Sequence, residues 1–374
     1  MSKNLKLKGE KLPYSNYISC VWKVEGQELE IYLGRDSRTM PFATRNLQTD
    51  SANFESIAFC VWAIYPECKV ILRYEPLKWY QNENVLFPLD YEAYDECLEW
   101  IVIEKRRRKE NDEDDLNDSV EARMQHYMRF LYRVMKMQTL YGTRFTVDSS
   151  NQYEVELFTK EFLRKLDAKE LIITTPETGS NSRKAAKISE NHLEKWFVHY
   201  SATAMIEKKC PEFAQSQSGN IKVYDQFPCG VFADRKLEIN RIFSRGFFDL
   251  WGVDSENNLC LYELKEYKNS KLGIISELFF YSCLLTDFKK MVPSEDSNER
   301  GFQNFLSAND AVTAYFLAPK YHSFIERNKK EILFEMNKRG DNVKYDLIQF
   351  SQENIVGDSE EAFLREVASF NKEK

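Results

Sequence analysis

Two short apolar runs, residues 247–254 and 259–265, constrain this chain more than anything else in it. The first places Asp249 between Phe247, Phe248, Leu250 and Trp251, and the second places Glu263 and Lys265 among Leu259, Leu261, Tyr262 and Leu264. Runs of this length and composition predict strands. A charge inside such a strand must be paired or bind a metal, because an isolated buried charge is too costly. Residues two apart on a strand share a face, so Glu263 and Lys265 point the same way. Asp249 joins them only in certain registers. A four-residue connection at 255–258 pairs Asp249 with Leu264 and turns it to the other face. A three-residue connection at 256–258 pairs it with Lys265, with Asn258 tolerating the left-handed conformation such loops need. The expectation is therefore this register, or else a bulge near Asp249.

The residue types then suggest a chemistry. Asp249, Glu263 and the Leu264 backbone carbonyl offer hard oxygen ligands, which suit Mg²⁺ or Mn²⁺. A bound metal of this kind activates water and polarises a phosphate, and Lys265 supplies a point cation for developing negative charge. Competing chemistries lack their residues. The eight cysteines are scattered without a CxxC and only four histidines accompany them, which argues against a zinc or iron–sulfur centre. No P-loop and no Ser-His-Asp arrangement stands out. Cysteines lie in apolar runs such as 59–62, and are expected to be buried free thiols of a reducing, cytoplasmic setting. The N-terminus has no apolar signal core, and no run reaches membrane-spanning length, so no membrane partner is expected. The net charge of −7 means that any nucleic-acid contact must come from a local patch. Lys268 and Lys271, which follow the second strand, with Lys289 and Lys290, are the candidates for phosphate contact.

At 374 residues there is room for two domains. The expected class is α/β of mixed α+β type, with an N-terminal α+β domain at 1–150 and a second domain at 151–374. In the first, residues 17–24 and 29–33 predict a hairpin around Gly26, and residues 53–63 suit either a strand or a buried helix. Residues 68–74 predict a strand, 91–108 a helix, and 119–140 a long helix capped by Ser119. The basic run 105–109 and the acidic run 111–118 fit two helix ends around an exposed loop. Residues 153–166 suggest a strand and a helix, and 171–175 a short strand. From Ser189 the order becomes αβββαβαβ, with helices at 190–200, 272–285 and 321–338. Its strands are expected at 221–227, 247–254, 259–265, 312–318 and 343–350.

These residues resemble the PD-(D/E)XK nuclease superfamily, most closely its RecB-like and NucS-like members. The pattern of an Arg or Gly, an apolar residue, Asp, an apolar strand, a turn and a Glu-x-Lys strand is matched from Arg245 to Lys265. Relatives carry Gln-x-x-x-Tyr on the next helix. Here Glu277 and Tyr281 occupy that spacing, one helical turn apart, and the Glu departs from the pattern. Relatives also carry an acidic residue on the leading helix near the metal, for which Glu190 is the first candidate and Glu194 the second. The resemblance covers about residues 187–350. It implies a restriction-endonuclease-like αβββαβ core around a mixed sheet, and a Mg²⁺- or Mn²⁺-dependent endo- or exonuclease with DNA as substrate. It further implies metal ligation by Asp249, Glu263 and Leu264, catalysis by Asp249, Glu263 and Lys265, and supporting or substrate-contact roles for Glu277, Tyr281, Arg245, Lys268 and Lys271. A homodimer and an antiviral setting are compatible with it. The alternative is a catalytically inactive nuclease-like module that binds nucleic acid or protein. The ligand or partner of residues 1–150 stays open.

Overall fold

The computed structural model describes residues 4–13, 18–33, 53–74, 120–175, 188–216, 222–237, 240–243, 246–268, 271–293 and 301–370. The helix expected at 91–108, the charged runs beside it, Ser119 and Arg245 lie outside these. The described residues form a mixed α/β protein with several separate sheets. Two compact units result. The first is Met1–Thr174 with Gly230–Arg245 and Lys290–Pro293; the second is Thr175–Cys229, Gly246–Lys289 and Ser294–Lys374.

In the first unit, β1 (Asn4–Leu7) and β2 (Glu10–Pro13) form a two-stranded sheet. The expected hairpin is β3 (Ile18–Val24) and β4 (Glu28–Leu33), and Gly26 takes the left-handed turn position at φ 77. They join β5 (Lys69–Tyr74) and β6 (Phe145–Val147) in the order β3-β4-β5-β6. The stretch at 53–63 is a helix, α1 (Phe54–Ile64), buried on nearly every side from Phe54 to Trp62, which is why its sequence carried no period to separate helix from strand. Helix α2 (Val120–Tyr141) buries Tyr127, Met128, Leu131, Val134, Met135 and Met137 as a core stripe. The strand-and-helix expected at 153–166 is a single helix, α3 (Ser149–Asp167), started by the Asp148 side chain accepting from Ser150 N–H at 3.1 Å. The expected boundary at 150/151 thus falls inside a helix of the first unit. Within that core, both oxygens of the Glu154 carboxylate accept hydroxyl protons, from Tyr74 at 2.5 Å and Tyr127 at 2.6 Å. A three-stranded sheet completes the unit from distant segments: β7 (Leu171–Ile173) lies between β9 (Val231–Ala233) and β12 (Val292–Pro293).

The second unit is built on a five-stranded sheet in the order β14-β13-β11-β10-β8. Its strands are β8 (Val223–Pro228), β10 (Phe247–Val253), β11 (Leu259–Leu264), β13 (Val312–Ala318) and β14 (Val343–Gln349). Strands β8, β10 and β11 form an antiparallel meander, and β13 and β14 run parallel to β11. The helices are α4 (Glu190–Tyr200), α5 (Ala204–Lys209), α6 (Pro211–Ser216), α7 (Ile274–Phe288), α8 (Phe302–Ser307), α9 (Ser323–Met336), α10 (Gln352–Val356) and α11 (Glu360–Ser369). Leu193, Trp196 and Phe197 of α4 pack with Leu250, Tyr262, Leu264 and Leu317 on one face of the sheet. Helix α7 lies along β11 and β13, and its Glu277 meets the oppositely directed Lys265. The two helices therefore cover opposite faces of the strands that carry the charges. Among the described residues no helix is long and apolar enough to cross a membrane.

Candidate active site

The β10–β11 hairpin sets the site. Its ladder runs from Val253↔Leu259 to Leu250↔Tyr262, so the connection is five residues, 254–258. This corrects the three-residue connection expected from sequence. The Asp254 side chain makes the longer turn: its Oδ1 accepts from Glu256 N–H at 2.9 Å and Asn258 N–H at 2.8 Å. Asn257, not Asn258, takes the left-handed conformation at φ 65. Continued one step, this register sets Asp249 across from Glu263 rather than Lys265. The slip is two residues, and an even slip keeps the side-chain alternation.

The alternation nevertheless breaks at Asp249. Phe248 and Trp251 both contact the Phe227 ring, at 5.0 and 5.3 Å, although they are three residues apart, while Leu250 between them faces α4. On the other side, β8 pairs Phe227 with Phe248 and Asp225 with Leu250 but skips Gln226, which adopts a left-handed φ of 46. Here β10 and β11 have stopped pairing, and the Asp249 carboxylate replaces a backbone partner: its Oδ2 accepts from Leu264 N–H at 2.7 Å. A strand residue's N–H and C=O point to the same side, so the Leu264 carbonyl also faces the β10 edge. The irregularity aims Asp249 into the plane between the two faces.

The other groups converge on it from both faces. Lys265 Nζ lies 2.6 Å from Glu263 Oε1 and 3.0 Å from Glu277 Oε2. Glu263 is 3% exposed, and its second oxygen, Oε2, is buried with no hydrogen-bond partner. From the α4 side, Glu194 is buried and accepts from Gln226 Nε2 at 3.1 Å; Glu190, one turn earlier, is less buried. Ser189 starts that helix, with its N–H donated to His192 Nδ1 at 3.2 Å, which gives His192 a capping role.

The electrostatics follow from this crowding. Burial pushes the Asp249 carboxyl up to about 7; Lys265 and the Leu264 N–H oppose the rise, and Glu190 and Glu277 add to it. Burial also pushes Glu194 up to about 8, with Asp249 adding to it. Glu263 is raised well above the usual carboxylate range by burial, then by Asp249. Burial disfavours the Lys265 ammonium, but Glu263, Glu277, Asp249 and Glu190 outweigh it and hold its pKa well above the ordinary value. The cluster carries several acids and one lysine, so it is short of positive charge.

The remaining expected residues fall into two groups. Tyr281 is 4% exposed and packs its ring 5.4 Å from Phe248, so it supports β10 from the core. Lys268 and Lys271 are exposed beyond the end of β11, and Lys289 donates to the Ala308 carbonyl. Sequence reasoning missed Gln226 and Asp225. Gln226 holds Glu194, and Asp225 adds to the rise in that carboxyl. The signal was available, because two polar residues interrupt the apolar strand at 223–227.

A divalent cation suits this donor set in part. The charge deficit and the buried Glu263 Oε2 favour one. As the side chains stand, however, among the described residues no set of three or more His, Cys, Asp or Glu is arranged to hold a metal ion, and Lys265 occupies one oxygen of Glu263. A metal at Asp249, Glu263 and the Leu264 carbonyl requires Glu263 to be shared with, or released from, the lysine. No family model, curated protein or solved structure matches the chain.

Proposed function

We propose that the second unit is a Mg²⁺- or Mn²⁺-dependent nuclease with a restriction-endonuclease-like core, cutting phosphodiester bonds of DNA. The observation that carries this reading is the convergence of Asp249, Glu263 and Lys265 at the broken end of the β10–β11 ladder, with a buried carboxylate oxygen of Glu263 lacking a hydrogen-bond partner. The meander β8–β10–β11 followed by a helix and a parallel strand supports it, because that element order is the one the resemblance implies. Asp249, Glu263 and the Leu264 carbonyl would hold the metal, with Glu190 or Glu194 as a further acidic ligand. When bound, such a metal lowers the pKa of a water and polarises the scissile phosphate. The chain's own residues do the rest. Glu263 and Glu277 keep Lys265 charged, and its ammonium orients the nucleophile and stabilises developing negative charge. Leu264 N–H fixes the rotamer of Asp249. Tyr281 and Phe248 hold β10 at the depth that brings Asp249 to β11.

Purified protein incubated with DNA and Mg²⁺ or Mn²⁺ should cleave it, and Asp249→Ala and Lys265→Ala should not. Equal cleavage by those variants, or none by the wild type, defeats the reading. The double pairing of Lys265 and the lack of a ready metal cage favour a second one, a binding module with a nuclease-like frame. Calorimetry with Mn²⁺ separates them, since a module with a dead site gives no Asp249-dependent heat.

A further inference from the structure

Lys265 is held by carboxylates of two origins. Glu263 lies two residues back on its own strand and takes the ammonium through Oε1 at 2.6 Å; Glu277 comes from the first turn of α7 and takes it through Oε2 at 3.0 Å. The two partners are not equivalent. Glu263 is one of the residues assigned above to a metal, and its Oε2 is already buried without a hydrogen-bond partner. Glu277 sits on a helix and is 24% exposed, against 3% for Glu263. An ammonium and a divalent cation that share one carboxylate repel each other across a few ångströms. The ammonium then keeps its place only if a second anion holds it. Glu277 is placed to be that anion, and a neutral amide there would not oppose the repulsion.

Resting on the metal-site reading, we propose that Glu277 is a positioning residue that anchors the Lys265 ammonium in the site when a divalent cation engages Glu263. In that role Glu277 touches neither substrate nor metal, and its contact with the catalytic cation is the ion pair with Lys265. Glu263 is consequently free to serve the cation without the lysine leaving.

The test uses the full chain as wild type, Glu277→Gln and Glu277→Asp. Mn²⁺ affinity is measured by calorimetry. The reactivity of the Lys265 amine toward an acylating reagent is measured by peptide mass spectrometry, with and without Mn²⁺. Wild type should keep Lys265 protected in Mn²⁺. Glu277→Gln should raise its labelling in Mn²⁺ by about ten-fold or more, the equivalent of one lost buried ion pair. Glu277→Asp should restore most of the protection. In cleavage, Glu277→Gln should lower kcat and leave KM unchanged. Mn²⁺ heat in the wild type with unchanged labelling in Glu277→Gln overturns this inference and leaves the nuclease reading standing. A ten-fold loss of Mn²⁺ affinity in Glu277→Gln makes Glu277 a ligand and also overturns it. Absence of Mn²⁺ heat from the wild type overturns both.

Discussion

Glu154 of the first unit and Glu263 of the second are both buried, and their surroundings differ in kind. Glu154 of the first unit is 6% exposed and Glu263 of the second 3%. Burial raises both carboxyls, Glu154 to about 7 and Glu263 well above its ordinary value. Glu154 spends each oxygen on a tyrosine hydroxyl. Glu263 spends one oxygen on Lys265, leaves the other without a hydrogen bond, and faces Asp249 and Glu277. Two hydroxyls close a polar network at little electrostatic cost, whereas a crowd of carboxylates around one lysine leaves charge to be matched from outside. What separates the two acids is therefore not burial but what faces them, tyrosine hydroxyls in one case and other carboxylates in the other.

The largest expected effect sets the two glutamates furthest apart. Asp249→Ala or Lys265→Ala should lower the cleavage rate by at least about a hundred-fold, while Glu154→Gln should leave it within a few-fold, as followed on a labelled duplex. The pH dependence of stability isolates Glu154. Its carboxyl is raised in the fold, so the protonated form is favoured there, and its contribution is full below about 4.5 and lost as the pH rises through about 7. Urea melts at several pH values should show wild type gaining up to about 3 kcal/mol on acidification across that window relative to Glu154→Gln. A flat difference would show that Glu154 is charged in the fold and that it resembles Glu263 more than its two hydroxyl partners imply. Mn²⁺ should stabilise the chain by about 2.7 kcal/mol at a hundred-fold excess over Kd. That gain, read from thermal melts, should vanish in Asp249→Ala, persist in Glu154→Gln and reverse with a chelator. Replacing Tyr127 by Phe is the smallest step. It removes one donor from Glu154 and should cost about 1–2 kcal/mol in urea with cleavage unchanged.

Much of the second unit was legible because its elements are strongly periodic. Helix α4 and strand β13 fall on the bounds expected from sequence, since Ser189 starts the one and Pro319 follows the other. The register of the hairpin was not legible. It depends on Asp254 turning its side chain back onto two backbone amides, and a sequence shows the residue but not that choice. The shared orientation of Glu263 and Lys265 survived the error because the slip was even. The link from Glu277 to Lys265 was hidden for another reason. It joins a helix to a strand, and spacing along the chain relates residues only within one element. In the first unit, α1 lacked a readable period because it is buried nearly all round.

The β7–β9–β12 sheet has a consequence for how the chain is made. Its three strands are supplied by residues near 172, 232 and 292, so the first unit cannot close that sheet until the last of them leaves the ribosome. By then β8, β10, β11 and α7, the segments that carry Asp249, Glu263, Lys265 and Glu277, have already been synthesised. A nascent chain halted after α3 holds none of the sheet, and one halted after β11 holds two strands of three. The first unit therefore closes only after much of the second has been made, and neither can be cut out as one continuous piece of sequence.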